Sequence, residues 1–139
     1  MAANTAPIFT LTPNCAVSQI TAANTARDGS GSLVTAFTAG TNGSLISQIT
    51  FINDATAVGA SALKVCRVFI TDTSGANPTL FQEVLLAAVT SSNTAIGATS
   101  TITFTNGLVI KAGQLIKVSQ SLCATGADNS ACIVQGGDY

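Results

Sequence analysis

The chain contains no histidine, so the side chain that most often acts as a general base near neutral pH is missing. A Ser–His–Asp or Cys–His arrangement therefore cannot be assembled from this chain alone. Acid–base chemistry would have to come from the carboxylates, which are Asp28, Asp54, Asp72, Glu83, Asp128 and Asp138. The aspartates lie beside Gly, Asn or Thr in turn-like stretches, where Asp is a favoured turn former. Glu83 lies in a strand pattern and is expected to pair with a neighbouring Lys or Arg. We therefore expect no catalytic residue and no enzymatic activity.

Three short motifs could bind a ligand, and each has a plainer interpretation. Gly29-Ser-Gly31 is a lone glycine motif without the rest of a phosphate-binding loop. Arg27-Asp28-Gly29 is the tripeptide of integrin ligands, but in this context it predicts a turn. Asp128 and Asn129 could offer oxygens to calcium, although a single carboxylate would make a weak site. The sequence therefore predicts no metal and no cofactor.

The cysteines, Cys15, Cys66, Cys123 and Cys132, are widely spread and contain no C-x-x-C pair. Without histidine, zinc would need a four-thiolate site, for which this spacing gives no support. Cys66 lies inside an apolar strand and is expected to be a small buried hydrophobe. Cys123 and Cys132 bracket a short loop and could form a disulfide across it, although cytosolic synthesis argues against that bond.

Strand patterns dominate the chain. Residues 101–105 alternate strictly between polar and apolar, which indicates a strand with one buried face. Residues 63–72 are rich in β-branched and aromatic side chains, end at a cluster of turn formers, and are followed by a returning segment over 79–88. We expect these two segments to form a hairpin. Residues 44–53 predict another long strand. The further candidate strands are 8–12, 17–22, 33–38, 108–110, 114–122 and 131–135.

The segment 79–89, TLFQEVLLAAV, has tolerable helical periodicity, so a helix is the alternative there. It lacks capping residues and lies at hairpin distance from a strand, which favours the strand. Many short strands separated by Gly, Asn and Pro are typical of a sandwich or barrel. The sequence therefore predicts a single all-β domain, a jelly-roll-like β-sandwich. We expect the sandwich over residues 14–139 and an extended N-terminal arm over residues 1–13, which contain Pro7 and Pro13.

The composition limits the kinds of partner that the chain can bind. Only 8% of the 139 residues are charged, against about 25% in an average soluble domain. Polar positions carry mostly Thr, Ser, Asn and Gln, which suits a surface held against other protein. The basic residues are scattered, so no stripe exists to neutralise a nucleic-acid backbone. No apolar run approaches the ~20 residues of a membrane-spanning helix. The first residues lack the features of a signal peptide, so we expect synthesis in the cytoplasm.

Several segments together resemble short virion proteins of tailed bacteriophages, including cyanophages. They are the opening residues 3–13, residues 24–29 and 38–44, the strands at 63–72 and 81–86, residues 107–115 and the closing residues 136–139. The resemblance implies a structural role in the particle, with a capsid decoration (cement) protein as the first interpretation. It further implies the major capsid protein as partner, a homotrimer, and a location on the capsid surface after synthesis in the host cytoplasm.

Two alternatives remain open at this point. One is another virion part, such as a head-fibre base or a tail or receptor-binding module. The other is a secreted adhesin or pilin-like subunit, which the missing signal peptide disfavours. A sugar-binding sandwich would need exposed aromatic side chains for stacking, but only 5% of the residues are aromatic and none is Trp.

Overall fold

The computed structural model describes residues 9–54, 59–92, 94–124 and 128–139. Within these ranges the chain forms ten β-strands and no α-helix. The strands are β1 Thr12–Ile20, β2 Val34–Thr38, β3 Ser44–Asn53, β4 Gly59–Ser61, β5 Lys64–Ile70, β6 Thr79–Leu86, β7 Val89–Ser91, β8 Thr99–Ile110, β9 Leu115–Gln120 and β10 Ser130–Asp138. None of the described residues belongs to a helix that could cross a membrane.

Eight of the strands form two four-stranded antiparallel sheets. Sheet A has the order β1-β10-β3-β8, and sheet B has the order β2-β9-β5-β6. The short strands β4 and β7 form a separate two-stranded ribbon. The sheets pack face to face, so the predicted all-β sandwich is confirmed.

The core lies between the two sheets and is built from alternate residues of each strand. Phe51 of β3 and Val134 of β10 point inward from sheet A, and Val68 of β5 and Ile116 of β9 point inward from sheet B. All four side chains are fully buried. Side chains alternate between the two faces of a strand, so the neighbours of each inward-facing residue along its strand point away from the core.

The hairpin predicted over residues 63–88 is present as β5 and β6, which pair antiparallel. The alternative of a helix is wrong, because residues 79–86 form the strand β6 and pair antiparallel with β5, with Leu86 opposite Lys64 and Thr79 opposite Ile70.

The two strands predicted at 101–105 and 108–110 form the single strand β8. The two predicted segments pair with β3 in different registers, because the register shifts between Ile46 and Gln48. Gly107 lies in this irregular stretch with φ of 75°. The positive φ at this bulge favours glycine, and a β-carbon at Gly107 would also displace the Leu45 side chain, whose Cδ1 would lie 2.4 Å away.

The end of the predicted arm joins sheet A. Leu11 N donates to Asp138 O at 2.8 Å, and β1 begins at Thr12. Pro13 is thus part of an edge strand, one of the positions at which a sheet tolerates proline. The strand predicted over 8–12 is wrong for residues 9–11, which precede β1 and belong to no strand. Residues 1–8 of the predicted arm lie outside the described residues.

Candidate functional site

The carboxylates occupy structural positions, and each has its own hydrogen-bond donors. Asp28 Oδ1 accepts from Ser30 N at 3.0 Å and from Ser30 Oγ at 2.6 Å, which closes a turn at the Arg27-Asp28-Gly29 motif. The hydrogen bonds from Ser30 lower the pKa of Asp28. Asp54 accepts from Gln19 Nε2 at 2.5 Å.

Asp72 organises the turn between β5 and β6. Its carboxylate accepts from Ser74 N at 2.9 Å, Ser74 Oγ at 2.6 Å, Ala76 N at 3.0 Å and Asn77 Nδ2 at 2.7 Å. These donors, with the Ser74 and Asn77 side chains first, lower the pKa of Asp72 to about 2. Asn77 itself has a φ of 49°, a left-handed conformation that Asn tolerates. The turn residues predicted from the sequence thus hold a hairpin loop.

Glu83 joins two arginines on the outer face of sheet B. Its Oε1 accepts from Arg67 Nε at 2.8 Å and from Arg27 Nε at 3.1 Å, and its Oε2 accepts from Arg27 Nη2. The hydrogen bond with Arg27 is the largest cause of a lowered pKa at Glu83. Arg67 is its cross-strand neighbour. The predicted structural pairing of Glu83 is therefore present, and it links sheet B to the loop at residues 21–33.

This loop covers part of the outer face of sheet B through Asn24. Asn24 Nδ2 donates to Ser30 O at 2.8 Å and to Ser32 O at 2.9 Å, and Asn24 Oδ1 accepts from Ala26 N at 2.9 Å. The carbonyl of Asn24 accepts from Arg67 Nη1 at 3.0 Å. The buried side-chain amide of Asn24 therefore bonds backbone groups at three positions of a loop whose other residues are mostly exposed.

Asp128 is buried and caps backbone groups of neighbouring segments. Its Oδ1 accepts from Ala62 N at 2.8 Å, and its Oδ2 accepts from Ala124 N at 3.2 Å. Asn129 O accepts from Asp54 N at 2.9 Å. The oxygens considered for calcium are thus engaged with the chain itself. In the described ranges, no three His, Cys, Asp or Glu side chains come close enough to hold a metal ion.

All four cysteines lie in the described ranges, and none forms a disulfide. Cys66 and Cys132 are fully buried in the core, as was predicted for Cys66. Burial raises the pKa of Cys66 to about 11 and that of Cys132 to about 12. Cys123 Sγ instead contacts Thr21 O and Asn129 Oδ1, both at 3.3 Å. The disulfide left open for Cys123 and Cys132 is therefore not formed.

The outer face of sheet A is a regular surface formed by four strands. Its side chains form three cross-strand rows, which are Cys15–Gln135–Gln48–Thr103, Val17–Ile133–Thr50–Thr101 and Gln19–Ala131–Ile52–Thr99. Val17 is 69% exposed. Thr50 Oγ1 and Thr101 Oγ1 lie 3.1 Å apart and share a hydrogen bond. All twelve positions in these rows are uncharged.

Charge is distributed unequally between the two sheets. The strands of sheet A contain one charged residue, Asp138, at the last position of β10. Asp138 is bound by Asn14 Nδ2 at 2.9 Å and Ser44 Oγ at 2.5 Å. Sheet B contains Lys64, Arg67, Glu83 and Lys117 on its strands. The polar but uncharged face of sheet A is therefore a specific feature and not only a result of overall composition.

An open groove of about 490 Å³ lies at the end of sheet A, and no charged side chain lines it. Leu45, Phe104, Gly107, Gly136 and Gly137 are among the residues that line it. A β-carbon at Gly136 would lie 2.3 Å from Leu45 O. Glycine at this position therefore keeps β3 and β10 closely paired beside the groove.

No family model matches the chain, and neither a curated protein nor a solved structure gives a match.

Sequence reasoning did not single out Lys64, which the structure places in a buried polar cluster. Lys64 is 1% exposed, although Lys is among the residues least often buried. The signal was available in the sequence, because Lys64 alternates with Cys66 and Val68 and therefore shares their inward face. A lysine on the apolar face of a strand predicts either a buried amino group or a strand that begins one residue later.

Proposed function

We propose that this protein is a structural subunit of a tailed-phage particle, a capsid decoration (cement) protein that binds the outside of the shell and bridges capsomers. The observation that carries the proposal is the uncharged outer face of sheet A. Cores of protein interfaces are depleted in charged side chains in the same way. A face of Thr, Gln and aliphatic residues forms many modest contacts, and it does not require the desolvation of buried charges.

We infer that the double sheet is a jelly roll. When the eight long strands are numbered in chain order, the pairs first–eighth, second–seventh, third–sixth and fourth–fifth are those of one long folded ribbon. Rolling that ribbon adds the eighth–third and seventh–fourth pairs and puts alternate pairs in opposite sheets. Double-sheet jelly rolls of this kind occur in viral capsid domains.

The proposed assembly is a homotrimer that contacts the major capsid protein. Each sheet ends in two edge strands, and β1 and β8 are the edges of sheet A. Exposed edges invite uncontrolled strand pairing, and a closed cyclic oligomer on a shell covers them. No enzymatic step, metal or cofactor is part of this proposal. Binding to nucleic acid or to a membrane is not part of it either.

The stability of the particle tests the proposal. A cement protein binds the intact shell better than the ruptured shell, so it stabilises the shell by mass action. Particles assembled without this protein should form normally and release their genome at a lower temperature than complete particles. Adding back the purified protein should restore the release temperature. Particles that lack the protein, keep full thermal resistance and fail to adsorb to host cells would instead support the alternative, a head-fibre base or a tail or receptor-binding module.

A further inference from the structure

The amino group of Lys64 is held against a side-chain amide at one end of the sandwich. Lys64 is the first residue of β5 in sheet B, and Asn53 is the last residue of β3 in sheet A. Lys64 Nζ donates to Asn53 Oδ1 at 3.3 Å and also to the carbonyl oxygen of Asp128. The amino group therefore lies between the two sheets, away from solvent.

Both partners are fixed by the backbone around them. Lys64 pairs with Leu86 of β6, and Asn53 N donates to Ala98 O at 2.8 Å. The Asp128 carbonyl that holds Nζ is itself fixed by Gln120 Nε2, which donates to it at 3.0 Å. The two side chains therefore meet without any movement of the strands that carry them.

The amide nitrogen of Asn53 is one of five buried side-chain polar atoms that have no hydrogen-bond partner among the described residues. Asn53 is 7% exposed, and among the described residues its Nδ2 has no hydrogen-bond partner. A buried amide N–H₂ without an acceptor costs free energy that a native structure normally avoids. An unsatisfied group of this kind in a native core calls for a specific explanation. A reaction that releases this nitrogen as ammonia provides one.

We propose that Lys64 Nζ attacks Asn53 Cγ and forms an intramolecular isopeptide bond that links sheet A to sheet B. The new bond is Nζ–Cγ, and the bond that breaks is Cγ–Nδ2 of Asn53. One proton of the neutral amine moves to Nδ2, which leaves as ammonia, so the reaction needs no oxidant, reductant or cofactor. Lys64 is the nucleophile and Asn53 the acyl donor, while the carbonyl of Asp128 positions Nζ.

Two features of the structure favour this reaction. The attacking amine must be neutral, and burial lowers the pKa of Lys64, an effect that the nearby Asp128 charge partly opposes. The reacting groups must also be held together, and the 3.3 Å contact of Nζ with Oδ1 places Cγ at most about 4.5 Å from Nζ. Attack therefore requires a further side-chain movement of about 1 Å, but holding both groups in one folded chain replaces a bimolecular encounter by an intramolecular step.

Mass spectrometry of the purified, folded full chain tests the proposal. The intact mass should be lower than the sequence mass by one ammonia. Trypsin cleaves after unmodified Lys and Arg, so the unreacted chain gives peptides 28–64 and 65–67, whereas the reacted chain gives the single peptide 28–67. Cleavage before Asp54 should leave the two halves of that peptide covalently joined. An intact mass equal to the sequence mass, with complete cleavage at Lys64, would overturn the proposal.

Matched variants distinguish the isopeptide bond from other reactions that release ammonia. Lys64→Met, which keeps the length of the side chain without the amine, should restore the full mass, whereas Lys117→Met should retain the deficit. Asn53→Asp should lose water in place of ammonia. Asn53 could also lose ammonia by cyclising onto its own backbone. That product leaves Lys64 open to trypsin, so finding it would contradict the isopeptide bond. The digest of the native chain decides the question even where a variant fails to fold.

Discussion

At the scale of single residues, Asp72 is a carboxylate whose role can be measured through pH. Its pKa in the folded chain is about 2, well below the value of about 3.9 in an unfolded chain. A group with a lowered folded-state pKa contributes stability above its unfolded pKa, and that contribution is lost as the pH falls through the folded value. Asp72 should therefore stabilise the hairpin turn at neutral pH and cease to do so in strong acid.

We predict that Asp72→Ala lowers the urea midpoint of unfolding by a constant amount between about pH 5 and pH 8 and by progressively less from about pH 4 to pH 2. Asp72→Asn is the control, because its amide oxygen can still accept from Ser74 N and Ala76 N but cannot ionise. It should keep part of the stability, and its difference from Asp72→Ala should not change with pH. A difference between wild type and Asp72→Ala that is unchanged at pH 2 would contradict the assigned role.

Two core aromatics should respond differently to truncation. Phe51 is fully buried among residues of both sheets, whereas Phe104 is half-buried and packs at the rim, with its ring 6.0 Å from that of Phe81. Phe51→Ala should cost about 3–5 kcal/mol of unfolding free energy, and Phe104→Ala should cost less because it removes less buried surface. Chemical denaturation of both variants checks this order, and equal costs would contradict the described packing.

At the scale of elements, the loop at residues 21–33 behaves as a cover on sheet B. Asn24→Ala would remove the partly buried hydrogen bonds with Ser30 O, Ser32 O and Ala26 N, at a cost of about 1–3 kcal/mol. Amide exchange over residues 21–33 should accelerate, with little change in β3 and β10. Asn42→Ala, which alters an exposed contact with the Tyr139 carbonyl, is the control. Uniform acceleration along the chain would mean that the loop is not a separate unit.

The elements also show what sequence patterns can and cannot predict. The bounds of β3, predicted as 44–53, are those observed, because turn residues precede a long run of apolar and β-branched side chains. The union of two predicted strands into β8 could not be read from the pattern, because the bulge at Gly107 interrupts the alternation without ending the pairing. The cover formed by Asn24 depends on contacts with Arg67, far away in sequence, which local patterns do not encode.

At the scale of the candidate surface, the sequence predicted the deficit of charge but not its location. Composition averages over the chain, whereas the concentration of uncharged residues on one face depends on strand order and register. The rows from Cys15 to Thr103, Val17 to Thr101 and Gln19 to Thr99 each join residues from four separate strands. The alternation along β8 indicated an exposed face of threonines, and the pairing with β3 and β10 extends that face across the sheet.

At the scale of the whole molecule, the outer face of sheet A should carry particle binding. Thr101→Lys introduces an uncompensated charge in the middle row of that face, on the edge strand β8, and desolvating it at an interface should weaken binding at least tenfold, or about 1.4 kcal/mol. Thr90→Lys, on an exposed position of β7, is the matched control and should bind as wild type does. Sedimentation of purified protein with particles that lack it measures both. Equal binding by the two variants would exclude this face.

Cryo-electron microscopy of particles that carry this protein tests the central claim most directly. We predict density for three copies around a local three-fold axis on the outside of the head, where capsomers meet, with the outer face of sheet A against the major capsid protein. Density confined to the tail or to a fibre, or copies on the head that turn sheet A toward solvent and bind through sheet B, would contradict the account.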